Sequence, residues 1–191
     1  MAWIAVVFLA LAVAVVGVAG YGVSLYNGLV QVKHQVDQAW ANIDVLLKQR
    51  HDELPKIIDA VKGYLTHERS VLENVTALRT RAQSTGVGPE RVAAEEALSQ
   101  GVSRLLAVAE RYPQLRASEV FIDLQRRIAA LEEQIAHRRE FYNAAVNINN
   151  VRIEQFPDSL LASLARLAHR PLFETAEAER GDVDVGTRLA S

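Results

Sequence analysis

The apolar pattern of the chain begins with a long uninterrupted run. Over residues 1–25 only glycine and serine interrupt the apolar side chains, and the first charged residue is Lys33. As a helix, a run of this length would reach roughly 36 Å at about 1.5 Å per residue, enough to cross a hydrocarbon core of about 30 Å. Trp3 near one end, with Tyr21 and Tyr26 near the other, is typical of interfacial aromatic belts. The pattern therefore predicts a transmembrane helix over residues 1–25.

The alternative for this segment is a cleaved signal peptide. Such peptides normally carry a basic n-region, an apolar stretch of about 7–15 residues and an A-x-A-like cleavage site. The chain has no basic n-region, its apolar run is longer, and Val18-Ala19-Gly20 fits the cleavage pattern poorly. These differences favour a retained single-pass helix with the lipid bilayer as a partner. The positive-inside rule counts Lys and Arg near the membrane, so Lys33 weakly favours a cytoplasmic C-terminal domain. The sequence leaves open on which side of the membrane this domain lies.

Beyond the apolar run, the spacing of apolar residues predicts helices. Ser118 is suited to an N-cap position, and steps of three and four from Phe121 continue over five heptads, the period of left-handed helix packing. The segment from the membrane to Arg81 has a similar stripe, and Pro55 within it predicts a bend rather than an end. A third helix is expected over residues 89–110, with Pro89 near its first position. The heptad positions of the long C-terminal segment are Phe121, Leu124, Ile128, Leu131, Ile135, Arg138, Tyr142, Ala145, Asn149, Arg152 and Phe156.

These segments predict an all-α fold. No alternating strand pattern of four or more residues stands out, and turn signals are confined to a few places. We expect the N-terminal transmembrane helix to be followed, over residues 26–174, by an elongated antiparallel bundle of about three long helices. A short C-terminal amphipathic helix is predicted over residues 159–168, with Leu160, Leu161, Leu164 and Leu167 on one side. Residues 175–191 are acidic and poor in large apolar side chains, which predicts a disordered tail.

Composition and motifs exclude several functional classes. Lys plus Arg (21) against Asp plus Glu (23) gives a net charge of -2, so there is no basic excess for a nucleic-acid partner. The absence of cysteine excludes disulfides, thiol nucleophiles and thiolate metal sites. The five histidines show no metal-binding spacing, and no phosphate-binding or nucleophile-elbow motif occurs. We therefore expect a non-enzymatic protein with no cofactor and no metal.

A series of short signatures runs along the chain from about residue 20 to 174. They include Tyr26-Asn27, Ala39-Trp40, Ile43-Asp44-Val45, Leu54-Pro55, Val61-Lys62-Gly63-Tyr64, Tyr112-Pro113, Tyr142-Asn143, Phe156-Pro157, Pro171 and Phe173. This series resembles the LemA family of bacterial membrane proteins. The resemblance implies a bacterial membrane location, an N-terminal membrane helix and a long α-helical domain, and it implies no enzyme activity. Two features depart from the family pattern: Ile148-Asn149 stands where many relatives have a second Tyr-Asn pair, and the tail after Glu174 has no counterpart.

We expect a bitopic scaffold that self-associates and organises other membrane proteins or the bilayer. The first long helix offers apolar side chains over more than one face, and a homo-oligomer would bury the surplus. The residues expected at this oligomer or partner interface are Tyr26, Val36, Trp40, Ile43 and Leu47. The alternative function is a membrane-tethered sensor or adaptor that relays a signal to a soluble or membrane partner, with Pro55 and Gly63 as its hinge.

Polar residues within the helix stripes form a second candidate site. Such residues either fix the register of a bundle or bind a partner, and the sequence leaves both roles open. The set is Arg50, Asp52, Glu68, Arg138, Tyr142, Asn143 and Asn149. We expect these residues to cluster between neighbouring helices, and replacement of Arg50 or Arg138 by alanine to cost about 1–3 kcal/mol of stability.

Overall fold

A computed structural model describes residues 2–65, 67–86 and 88–173. This part of the chain is helical and contains no β-strand, which confirms the all-α prediction. The predicted disordered tail, residues 175–191, lies outside the described residues. The helices are α1 (Ala2–Lys62), α2 (Arg69–Ser84), α3 (Pro89–Ala109), α4 (Pro113–Arg116), α5 (Glu119–Glu154) and α6 (Asp158–Leu164).

Helix α1 joins the apolar run to the helical domain without a break. Its N-terminal part is long and apolar enough to cross a membrane, and its side chains there are exposed. Pro55 lies inside α1, so the helix continues through this residue as predicted. Because there is no joint between the apolar run and the domain, the direction of α1 fixes how the domain is oriented relative to that run.

The prediction of a single helical segment from the membrane to Arg81 is wrong. Helix α1 ends at Lys62 and α2 begins at Arg69. Gly63, a poor helix former, follows α1 directly, and the N–H groups of Tyr64 and Leu65 both donate to the Val61 carbonyl at 2.9 Å. The chain turns there, and α2 returns to pack against α3. The domain therefore has a shorter α2–α3 pair at the end distant from the N-terminus, in place of a third long helix.

Helices α1 and α5 run antiparallel along most of the length of α5. Each step forward along α1 is matched by a similar step backward along α5, as expected for two paired long helices. Three contacts fix this register: they join Gly28 with Arg152, Trp40 with Tyr142, and Arg50 with Glu132.

The core consists of three clusters along this pair. The first, near the N-terminal end, contains Leu29, Ile153 and Ala162. The middle cluster contains Val36, Ile43, Leu47, Val92, Ile135, Tyr142, Val146 and Phe173. The third is the largest, because α2, α3 and α4 join α1 and α5 there. The structure is thus widest at the end distant from the apolar run.

Helix α6 is shorter than the predicted amphipathic helix, and its leucines do not share one side. Leu161 and Leu167 pack against the first core cluster. Leu160 and Leu164 are exposed. Consecutive residues of a helix point about 100° apart, so Leu160 and Leu161 cannot both face the same neighbour. The one-sided prediction is wrong for this reason.

Candidate functional site

A cluster of charged side chains is buried between α1, α3 and α5. Arg50 of α1 is fully buried, and so is Glu95 of α3. The Arg50 guanidinium donates to Glu95 Oε2 and to the Ser99 hydroxyl, each at 2.5 Å, and to Glu132 Oε1 at 2.8 Å. Glu95 and Ser99 lie four residues apart and therefore share one face of α3. We call Arg50, His51, Glu95, Ser99 and Glu132 the buried ion cluster.

Two further basic side chains approach Glu95. His51 Nε2 lies 3.1 Å, and Arg91 Nε 2.7 Å, from Glu95 Oε1. Burial alone would raise the pKa of Glu95, but the hydrogen bond to His51 and the positive charges of Arg50, His51 and Arg91 outweigh it and lower the pKa below its ordinary value. Arg79 of α2 donates to the His51 carbonyl at 2.9 Å. The buried ion cluster therefore connects four helices around an ionised glutamate.

Arg139 of α5 extends these ionic contacts toward the C-terminal segment. It donates to Glu96 at 2.6 Å and to the Ser99 hydroxyl at 3.4 Å. Its guanidinium carbon lies 4.8 Å from the centre of the Phe173 ring, a cation–π distance. Burial lowers the pKa of Arg139, which the charge of Glu96 opposes, and an arginine remains charged under such shifts. The cations of this region are thus matched by carboxylates.

The arrangement of these groups fits a structural role in fixing helix register. Buried polar groups between helices are well suited to this role because only one alignment satisfies them. Within the described residues, no group of His, Asp and Glu side chains is arranged to hold a metal ion. The chemistry available to the buried ion cluster is therefore ion pairing and hydrogen bonding between helices.

The segment that follows α6, residues 167–173, which we call the strap, lies extended across α5. The side-chain amide of Asn143 donates to the Phe173 carbonyl at 3.0 Å and accepts from the Phe173 N–H at 2.9 Å. Asn150, one heptad further along α5, pairs in the same way with Arg170, at 3.0 Å for both bonds. Each asparagine thus satisfies both backbone groups of one strap residue, as a neighbouring strand would do.

A cluster of aromatic side chains packs the strap against α1. The Trp40 ring stacks on Phe173 with centroids 5.8 Å apart, and Tyr142 meets the two rings edge-on at 5.6 and 5.5 Å. The Tyr142 hydroxyl donates to the Pro171 carbonyl at 3.0 Å. Burial raises the pKa of Tyr142. Trp40 therefore acts in this chain as a packing residue for the strap.

The polar set predicted from the sequence is not brought together. Arg50 belongs to the buried ion cluster, while Tyr142 and Asn143 hold the strap. Asn149 is buried and donates to the Asn150 side chain at 3.2 Å. At the distant end, Glu68 accepts from Arg111 at 3.3 Å. The remaining two members, Asp52 and Arg138, are exposed.

Two carboxylate partners of Arg50 were missed, although the sequence carried a signal for one of them. Glu95 lies three and seven residues before Leu98 and Val102, so it occupies the apolar stripe of α3. A charged residue in that position needs a buried partner. Glu132, by contrast, is adjacent to the heptad position Leu131 and gave no such signal.

Three of the five predicted interface residues are buried inside the chain itself. Val36, Ile43 and Leu47 are in the middle core cluster, with 2%, 0% and 0% exposure. Because α5, α3 and the strap together cover a wide face of α1, these side chains are not free to meet a second copy. Trp40 is half-buried beneath the strap, and Tyr26 is about half exposed. The predicted interface at Val36, Ile43 and Leu47 is therefore corrected to core.

Helix α5 carries an apolar stripe on the side opposite its core residues. Phe141, Ala144, Ile148 and Val151, which we call the outer stripe, follow steps of three, four and three. Phe141, Ile148 and Val151 are each about half exposed. Beside the stripe, a groove of about 260 Å³ lies between α1 and α5 and is lined partly by Phe141. Within its own helix the His137 ring meets Phe141 edge-on at 4.9 Å, and the other described helices leave the outer stripe exposed.

The chain is similar in sequence to several known proteins. Protein LemA of Metamycoplasma hominis is 27% identical to the chain, over 83% of this chain and 73% of the relative. Magnetosome protein MamQ 2 of Paramagnetospirillum magneticum is 23% identical, and magnetosome protein MamQ of Magnetospirillum gryphiswaldense is 22% identical; each match covers 85% of this chain and 68% of the relative. The model of the LemA family matches residues 39–186. Because that match covers most of the sequence, the chain belongs to the LemA family, as its signatures predicted.

Proposed function

We propose that the chain is a single-pass membrane protein whose helical domain self-associates through the outer stripe and acts as a scaffold for partner proteins or the bilayer. The exposed apolar part of α1 and membership of the LemA family support membrane association. Two of the relatives carry the name magnetosome protein, and an organising role in a bacterial membrane is compatible with that name.

The observation that carries self-association is the outer stripe. Its residues repeat with the spacing at which helices pack against each other, and contiguous apolar surface of this kind marks interaction sites. Copies anchored by α1 in one membrane have the same orientation and stand at the same height. A two-fold axis along the membrane normal would then place two α5 helices parallel and in register. Phe141 would face Phe141 of the second copy, and Ile148 would face Ile148.

Site-directed cross-linking tests this arrangement directly, because the chain has no cysteine of its own. The Ile148→Cys variant of the full chain, reconstituted into vesicles and oxidised, should form a disulfide-linked dimer. Asn147→Cys is the matched control: Asn147 is exposed at the same height, but it points about 100° away around α5. We expect much faster dimer formation at position 148. Equal rates at the two positions, or faster linking at position 147, would exclude this interface.

The alternative of a hinged adaptor has less support from the structure. It required flexible points at Pro55 and Gly63, but α1 continues through Pro55. The turn at Gly63 is followed by Leu65, which is buried in the third core cluster. A hinge there would have to withdraw Leu65 from the core on each movement. We therefore favour the scaffold.

A further inference from the structure

The antiparallel register places the end of α5 beside the end of the apolar run. Gly28 of α1 lies against the Arg152 guanidinium, close enough that a Cβ at Gly28 would approach it to 3.0 Å. Three residues back along α1 is Leu25, the last residue of the apolar run, and three residues forward along the chain is Gln155. Phe156 follows at once. The turn between α5 and α6 is therefore level with the boundary of the apolar run.

The large apolar side chains at this level are exposed. Phe156 is 80% exposed, Leu160 63% and Leu164 81%. Leu160 and Leu164 are four residues apart and share one face of α6. On its other side, α6 packs through Leu161 and Ala162 onto the first core cluster. Helix α6 is thus held by the domain on one face and presents leucines on the other.

This end of the domain carries ion pairs and one exposed cation, since Arg166, two residues after Leu164, is exposed and forms no ion pair within the described residues. Arg152 Nε lies 2.7 Å from Asp158 Oδ2, and His169 Nε2 lies 3.4 Å from Glu154 Oε1. The exposed apolar side chains of α6 are therefore followed by a positive charge at Arg166, a composition suited to a surface that lies among lipid headgroups. Helices with exposed Leu and Phe on one face and a position at the boundary of a bilayer bind among lipid headgroups and acyl chains.

We infer that Phe156, Leu160 and Leu164 form a foot that inserts into the interface of the same bilayer that α1 crosses. This inference rests on the membrane-spanning role proposed above for α1. The foot adds a second contact between the domain and the lipid, about one helix diameter to the side of α1. Two contacts of this kind hold α5 upright on the membrane and set the height of the outer stripe. The occupant is lipid, because the exposed leucines continue the apolar boundary of the spanning helix.

Spin labels at single cysteines would locate the foot in the full chain reconstituted in phosphatidylcholine vesicles. The labelled variants are Leu160→Cys and Leu164→Cys. Val120→Cys is a matched control, since Val120 is 66% exposed on the same domain but about 50 Å away along α5. Val13→Cys reports on the spanning segment. The measurement compares collision of each label with oxygen, which concentrates in lipid, and with a water-soluble nickel chelate.

We expect the labels at positions 160 and 164 to collide several-fold more with oxygen, relative to the chelate, than the label at position 120. Because Arg166 is exposed beside these leucines, the ratio should be kept or raised when phosphatidylglycerol is added. Collision mainly with the chelate at 160 and 164 would overturn the foot, and so would exclusion of both reagents, which signals a protein contact. If the label at position 13 also collides with the chelate, the membrane span itself fails, and that outcome is separate from failure of the foot.

Discussion

Arg50 is the residue whose replacement should weaken the fold most clearly. The Arg50→Met substitution keeps an aliphatic side chain and removes the guanidinium. It takes away the donors to Glu95, Glu132 and Ser99 and leaves Glu95 fully buried with one cation fewer. Removing one partner of a buried ion pair costs about 3–5 kcal/mol, since the other charge stays out of water. Because Arg91 remains beside Glu95, we expect a loss near the lower end, about 3 kcal/mol.

Urea unfolding of the full chain in mild detergent, followed by circular dichroism, measures this loss. Arg127→Met is the control, because Arg127 pairs with Asp123 at 2.6 Å on a surface where both side chains are more than half exposed. Exposed pairs contribute less than about 1 kcal/mol. A stability loss for Arg50→Met no larger than for Arg127→Met would refute the reasoning.

A double-mutant cycle between Arg50 and Glu95 separates their interaction from general damage. The variants are Arg50→Met, Glu95→Met and the double variant. Replacing both members of a buried pair by apolar side chains is less damaging than replacing one. The double variant should therefore lose about 1–3 kcal/mol less than the sum of the single losses. Additive losses would show that the two side chains do not act as a pair.

Two further predictions follow from the site. The lowered pKa of Glu95 means that the folded state binds this proton more weakly than the unfolded state, so acidification favours unfolding; this contribution is fully present above the ordinary value of 4.5 and is lost as pH falls below it. Stability measured against pH should fall less steeply in that range for Glu95→Gln than for the natural chain. Replacing Asn143 and Asn150 together by alanine should release the strap and shift Trp40 fluorescence to longer wavelength, whereas Asn147→Ala, on the exposed side, should leave the emission unchanged.

Local sequence determined the main helices well. Ser118 caps α5 as predicted, its hydroxyl accepting from the Phe121 N–H at 3.4 Å, and α3 begins at Pro89. These features depend on residues close together in the chain, whose propensities and periodicity can be read directly. The apolar run and its helical continuation could be predicted from the sequence equally well, because length and composition define such a segment.

The heptad pattern of α5 was right at its beginning and shifted later. Phe121 to Ile135 lie in the core at the predicted positions, but Arg138 is exposed and Arg139 is partly buried in its place. A straight helix has 3.6 residues per turn, so it drifts about 20° per heptad from a period of 3.5. From the third heptad onward one of the two inward positions had moved by one residue, to Arg139, Val146 and Ile153, while Tyr142 and Asn149 stay buried where predicted. The expected stability loss at Arg138 therefore does not apply to an exposed side chain.

Tertiary structure alone decided how the faces of α1 are covered. The sequence showed that α1 has more apolar surface than one seam requires, and a second copy was the simplest expectation. The structure covers Val36 and Ile43 with α5 and places the strap over Trp40. The strap reaches this place through contacts such as Arg170 with Asp37, 133 residues apart. Periodicity reports which face of a helix is buried, but a contact across that separation depends on the path of the whole chain, which no local pattern contains.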